Sequence, residues 1–254
     1  MDHPHTSSDS FFQTLGNILK PFSRGNKLWD NARFVLADVP LNAKEAKKIL
    51  PLGLFLTETP TATLFIADYT KTSFTVPYRE AAILIHVRTL FGRGVHCPWM
   101  VVDDDTAMIY GRELLGYPKK MAQLSFKEEN GVINASVSRR GHELIRFETQ
   151  VGKPLETPKP VFDMKTFNVG GPGGLFAISP IWMFRPKEEI HESYDAASKV
   201  TIGDSISDPI KRLVAGDPLH SSMVVMDILG SRYNLPVGLS GLIWFVRSYA
   251  LRYL

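Results

Sequence analysis

The chain has 254 residues, 44% hydrophobic and 22% charged, the composition of an ordinary soluble globular protein with room for one sizeable core. Its net charge of +3 is scattered among acids without a basic stripe, so no nucleic-acid partner is implied. Cys97 is the only cysteine, which excludes an internal disulfide and metal sites built on cysteine pairs and makes a reducing, cytoplasmic setting the expectation.

The N-terminus carries no signal-peptide pattern, and no window is long and apolar enough to span a bilayer. Residues 1–9 are polar and read as a disordered tail; residues 10–254 read as a single domain. Phe11, Phe12, Leu15, Ile18 and Leu19 recur at helical spacing after Ser10, predicting a short amphipathic helix. Residues 32–39 alternate as a strand. Asn42 to Glu45 has the form of a capping box, with Asn42 accepting an amide and Glu45 reaching back, and Pro51 stops the helix that follows.

Strand-like runs come next at 61–69, 80–87 and 99–102, and Asp103-Asp104-Asp105 reads as a solvated turn. Asn130-Gly131 separates strands at 123–126 and 132–137, and Arg139-Arg140-Gly141 begins another hairpin into 144–149. Beyond a linker at 152–160 lie a glycine-rich loop at 170–174 and strands at 176–184, 199–202 and 223–229. Ser207-Asp208-Pro209 opens a predicted helix to about Ala215. A closing helix from about Ser240 presents Leu242, Phe245, Val246, Tyr249 and Tyr253 as its packing face, with Arg247 and Arg252 outside it. Successive strands without intervening helices predict antiparallel sheet in a barrel or sandwich.

The most informative run is Gly111 to Lys120, GRELLGYPKK, which sets two lysines side by side after a proline. An arbitrary lysine pair is solvated. This one, with Tyr78-Arg79-Glu80 and Asp103-Asp104-Asp105 upstream, resembles the signature of the acetoacetate decarboxylase family. The resemblance implies a closed, largely antiparallel β-barrel with peripheral helices, an oligomeric assembly and a small oxo acid as substrate. No cofactor or metal is expected. It implies catalytic roles for Lys119, which forms a Schiff base with a ketone, for its neighbour Lys120, and for Glu80, which handles protons. Arg33, Arg112 and Tyr117 are the substrate-binding candidates.

Lysine attacks a ketone as the free amine, although its unperturbed pKa is about 10.4. On an extended strand two neighbouring lysines point to opposite faces, with their ammonium groups on the order of 10 Å apart. At an effective dielectric near 20 their repulsion is about 1.7 kcal/mol, whereas burial lowers a lysine pKa by ~3–5. Lys119 is therefore expected in an apolar pocket and Lys120 pointing away from it.

One departure concerns the reaction. Family members that decarboxylate acetoacetate carry a second glutamate on the strand before Tyr-x-Glu, and Thr63-Leu64-Phe65-Ile66-Ala67 has none. Two alternatives to decarboxylation follow: a Schiff-base aldolase-dehydratase or hydratase acting on an oxo acid, and a non-catalytic barrel that binds a small ligand. His86, His96, His142, His191 and His220 lack metal-ligand spacing, and no nucleophile elbow, dinucleotide fingerprint or phosphate loop is present.

Overall fold

A computed structural model describes residues 26–254 apart from 159, 163, 171–177 and 232. The predicted tail, the amphipathic helix at 10–19, most of the glycine-rich loop and the start of the 176–184 strand lie outside the described residues.

The chain begins with β1 (Lys27–Pro40), α1 (Ala43–Ile49), β2 (Phe55–Leu56), β3 (Thr61–Tyr69), β4 (Tyr78–Thr89) and β5 (Gly92–Val102). Helix α2 (Asp105–Leu115) leads into β6 (Lys119–Met121) and a meander of β7 (Gln123–Glu129), β8 (Val132–Arg139) and β9 (His142–Pro154). There follow β10 (Lys165–Val169), β11 (Pro180–Phe184), β12 (Lys187–Ile202), a 3-10 turn (Ile210–Leu213), β13 (His220–Leu229), β14 (Asn234–Leu239) and α3 (Leu242–Tyr253).

The strands join in one 14-stranded sheet, ordered β14-β11-β10-β5-β4-β3-β1-β13-β12-β9-β8-β7, with β2 attached to β4 and β6 to β5. Pairing is antiparallel except for β5 with β10 and with β6. The sheet curls until β7 lies against β3 and β4, but among the described residues no ladder joins β14 to β7, so the expected closed barrel is not formed by strand pairing. Charged Lys127, Glu128 and Glu129 are exposed on the β7 edge, and Pro236 within β14 has no amide to donate, features that discourage further pairing.

Strand alternation divides the core in two. Val35, Leu64, Ile83 and Val101 face one cluster, which Phe126, Ile133 and Phe147 of the meander complete. Phe34, Phe65, Ala82 and Val102 face the other, which Ala107 of α2 and Phe162 cover. The two meander turns take positive φ at Asn130-Gly131, which suits both residues, and at Arg140-Gly141, where only the glycine favours it.

Several local expectations are corrected. Asn42 accepts the Glu45 amide at 3.3 Å, but the Glu45 side chain pairs with Lys48 instead of closing the box. Asp103-Asp104-Asp105 is a helix start: Asp104 accepts the Ala107 amide at 2.7 Å, and Asp103 accepts the Arg79 amide at 2.6 Å. The helix predicted after Pro209 is only the 3-10 turn. Helix α3 is turned over: it buries Trp244, Ser248, Leu251 and Arg252, while Leu242 and Val246 are 60% and 73% exposed. The Trp244 indole donating to Ile49 O at 2.9 Å fixes that orientation. No described helix is long and apolar enough to cross a membrane.

Candidate active site

The signature run folds in three steps. Gly111 to Leu115 is the last stretch of α2, and Gly116 ends it at φ 66°, a left-handed conformation suited to glycine, with its amide on Arg112 O. Pro118 cannot continue a helix, and Lys119 starts β6, parallel to β5 with Lys119 opposite Met100 and Lys120 opposite Val101. The two lysines thus project to the two different cores. The Arg112 guanidinium donates to Lys119 O at 2.9 Å, bracing the strand by its backbone.

Lys119 ends in an apolar cavity of about 300 Å³ lined from β1, β3, β4, β11, β13, β14 and α2. Its amine is 4% exposed as a residue and lies 2.6 Å from Glu80 Oε2. The Tyr69 hydroxyl donates to the other carboxylate oxygen at 3.2 Å. The rings of Tyr78 and Tyr117 sit 5.6 and 5.9 Å from the amine. Burial, and then the Glu80 charge, push the phenols of Tyr69 and Tyr78 well above their usual range, so both remain hydroxyl donors. The Cys97 thiol is pushed up by burial and stays protonated.

Gly111 makes room for the lysine. A Cβ there would stand 2.5 Å from Lys119 Cδ and Cε, closer than atoms can approach. The helix that carries the first glycine of the signature therefore carries the groove for its first lysine.

Lys120 is as buried as Lys119, at 6% exposure, but in a filled polar site. Its ammonium donates to the Asp208 carboxylate and to Ser207 O and Ala250 O, both at 3.3 Å. Asp208 also accepts from Trp99 Nε1 at 2.8 Å and Arg139 Nη1 at 2.7 Å. Burial pushes the Lys120 pKa down to about 8 against the opposing pull of Asp208. Burial also works against the Asp208 carboxylate, but its donors outweigh it and hold the pKa below the usual value.

The other expected substrate ligands divide. Tyr117 lines the cavity. Arg112 does not: it braces Lys119 O and stacks 5.7 Å from the Tyr253 ring. Arg33 does not either, because alternation along β1 sends Phe34 toward the cavity face and Arg33 to the opposite one, where it pairs with Glu128. Among the described residues, Lys119 is the only cation lining the cavity, and no cluster of metal-ligating side chains occurs. Tyr69 and Asp208 were missed. Tyr69 shares a strand face with Phe65 and Ala67, a signal available from period two, whereas nothing local links Asp208 to Lys120.

A mainly β chain that buries one amine against one carboxylate in an apolar chamber defines a class of fold and site, and the comparisons give it a family. The family model for acetoacetate decarboxylase matches residues 18–235, so the chain belongs to that family. Decarboxylase DEC1 of Cochliobolus heterostrophus is 28% identical over 127 residues, 46% of this chain and 49% of that protein, so the match spans about half of this curated relative. The acetoacetate decarboxylase of Legionella pneumophila superposes with a TM-score of 0.72 at 15% identity, over 85% of this chain and 88% of that one. The enduracididine biosynthesis enzyme MppR, complexed with pyruvate, gives 0.68 at 14% identity over 82% and 89%. At these identities the structural likeness establishes the fold.

Proposed function

We propose that the chain is a lyase that decarboxylates a β-keto acid through a Schiff base, with acetoacetate to acetone and carbon dioxide as the simplest case. Lys119 Nζ attacks the ketone and water leaves. The protonated imine accepts the electron pair of the breaking C–C bond, carbon dioxide departs, and the enamine carbon is protonated before water frees the ketone. Glu80 moves the protons from 2.6 Å away, held by the Tyr69 hydroxyl. The observation that carries this reading is the Lys119–Glu80 contact inside an apolar chamber, where a substrate carboxylate is stripped of water on the way to a less charged product. Lys120 acts through Asp208 on the position of β6.

Incubation with acetoacetate and borohydride should leave one reduced adduct on Lys119, with carbon dioxide released when the reductant is omitted. A second reading, the aldolase-dehydratase or hydratase, is supported by β3, whose Phe65, Ala67 and Tyr69 bring no carboxylate to the Lys119 face. An adduct without carbon dioxide, formed more readily with pyruvate, selects it. No adduct from any oxo acid leaves the non-catalytic binding barrel. The exposed face of α3, with Leu242, Ile243 and Val246, supports association into a homo-oligomer, which a monomeric mass in light scattering would refute. A cytoplasmic location remains part of this reading.

A further inference from the structure

The cavity is larger and more apolar than a four-carbon acid requires. Its volume of about 300 Å³ reaches the range of chambers that enclose drug-sized ligands. Among the described residues its only charged lining groups are Lys119 and Glu80, both deeply buried. The rest of the lining is a largely apolar wall, with Phe162 and Ile228 buried and Trp29, Leu114, Leu115 and Tyr233 part-exposed. Acetoacetate has a single methyl group beyond its ketone carbon and leaves most of that wall uncovered.

We infer that the substrate is a 3-oxo acid whose ketone carries an apolar substituent R, an alkyl chain or an aryl ring, on the side away from the carboxylate. The inference rests on the Schiff-base reading and adds the substrate class to it. The overall change is R–CO–CH2–COO⁻ plus one proton to R–CO–CH3 plus carbon dioxide. The ketone oxygen leaves as water when the imine forms, the pair from the broken C–C bond is held in the enamine, its carbon takes the proton, and water restores the ketone and the amine. The group R is unchanged throughout and lies along the apolar wall.

Phe162 limits how far R extends. Its ring packs against Phe34 at 5.4 Å and Phe65 at 5.6 Å between centroids. The Glu188 carboxylate pins its loop by accepting the Val161 amide at 2.9 Å and the Phe162 amide at 2.7 Å. Farther along the same sheet face is a second cavity of about 230 Å³, lined by Leu84, Met164 and Val224 together with Asp38, His86 and His220. Phe162 lines the first cavity, while its chain neighbours Val161 and Met164 line the second.

The test is a chain-length series on the full wild-type protein: 3-oxobutanoate, 3-oxohexanoate and 3-oxooctanoate, read as kcat/KM for carbon dioxide release and as borohydride adduct on Lys119. Each buried methylene is expected to raise kcat/KM about fourfold, on the order of 250-fold across the four methylenes of the series. A flat or falling series with the adduct still on Lys119 overturns the substrate class and leaves the Schiff-base reading standing. No adduct with any member overturns both. Phe162→Ala, checked for a cooperative thermal transition, should move the optimum to 3-oxodecanoate or longer; an unchanged profile in the folded variant removes Phe162 from the role of length stop.

Discussion

Lys119 and Lys120 are adjacent, equally buried and of one chemical type, yet the two sides of β6 make different groups of them. On one side the amine meets a single carboxylate and an open chamber. On the other it meets a carboxylate, two carbonyls and, through Asp208, an indole and a guanidinium. Burial alone therefore does not set the proposed Schiff-base lysine apart from its neighbour. What separates the two is vacant volume beside the nitrogen, and the strand period of two is what delivers one lysine to each environment.

The largest expected effect breaks the open side. Lys119→Ala should abolish the borohydride adduct and lower carbon dioxide release by at least about 10⁴-fold, while Lys120→Met keeps the adduct on Lys119. Peptide mapping that located the wild-type adduct on Lys120 would reverse the two assignments. Glu80→Gln sharpens the same side. Turnover should fall roughly 10²–10⁴-fold while the trapped fraction falls far less, since the proposed role is proton transfer; equal losses in both assays would make Glu80 a packing residue.

On the filled side the expected changes are in stability. Asp208→Ala leaves Lys120 and Arg139 buried without their carboxylate and should cost about 3–5 kcal/mol in urea unfolding. A cost below about 1 kcal/mol would mean that water enters the site freely.

The smallest effect is a pH slope. Lys120 titrates near pH 8 when folded and near 10.4 when unfolded, so between pH 8 and 10 the unfolded chain holds a proton that the folded chain has lost. Stability contributed at Lys120 therefore rises with pH across that window. The unfolding free energy of the wild type relative to Lys120→Met should shift toward the wild type from pH 8 to pH 10, and a constant difference would show that the amine stays charged.

Much of this contrast was legible from residue order. Pro118 followed by two lysines reads as extended backbone, and period two separates their side chains. The family resemblance supplied Lys119 and Glu80 as a pair. Helix α2 was obscured because its capping Asp104 sits between two other acids, a composition shared with turns. The face of α3 was misread because apolar residues occupy both sides, and only the contact of Trp244 with Ile49 selects one. Arg33 was assigned by positional similarity, yet its strand parity alone opposes it to Phe34. Asp208 lies far from Lys120 in sequence, and a tertiary ion pair of that kind leaves no periodic trace.

The position of β1 in the sheet also bears on how the protein is made. Its ladder partners are β3, which follows soon after it, and β13, which follows only after β12. During synthesis β1 therefore waits with one edge bare, carrying Phe34, Val35 and Leu36 on both faces, until most of the chain has left the ribosome. Such long-range closure slows folding and leaves the nascent edge open to mispairing. A chain stopped before His220 should accumulate as aggregate, whereas one that includes Leu229 supplies the missing edge.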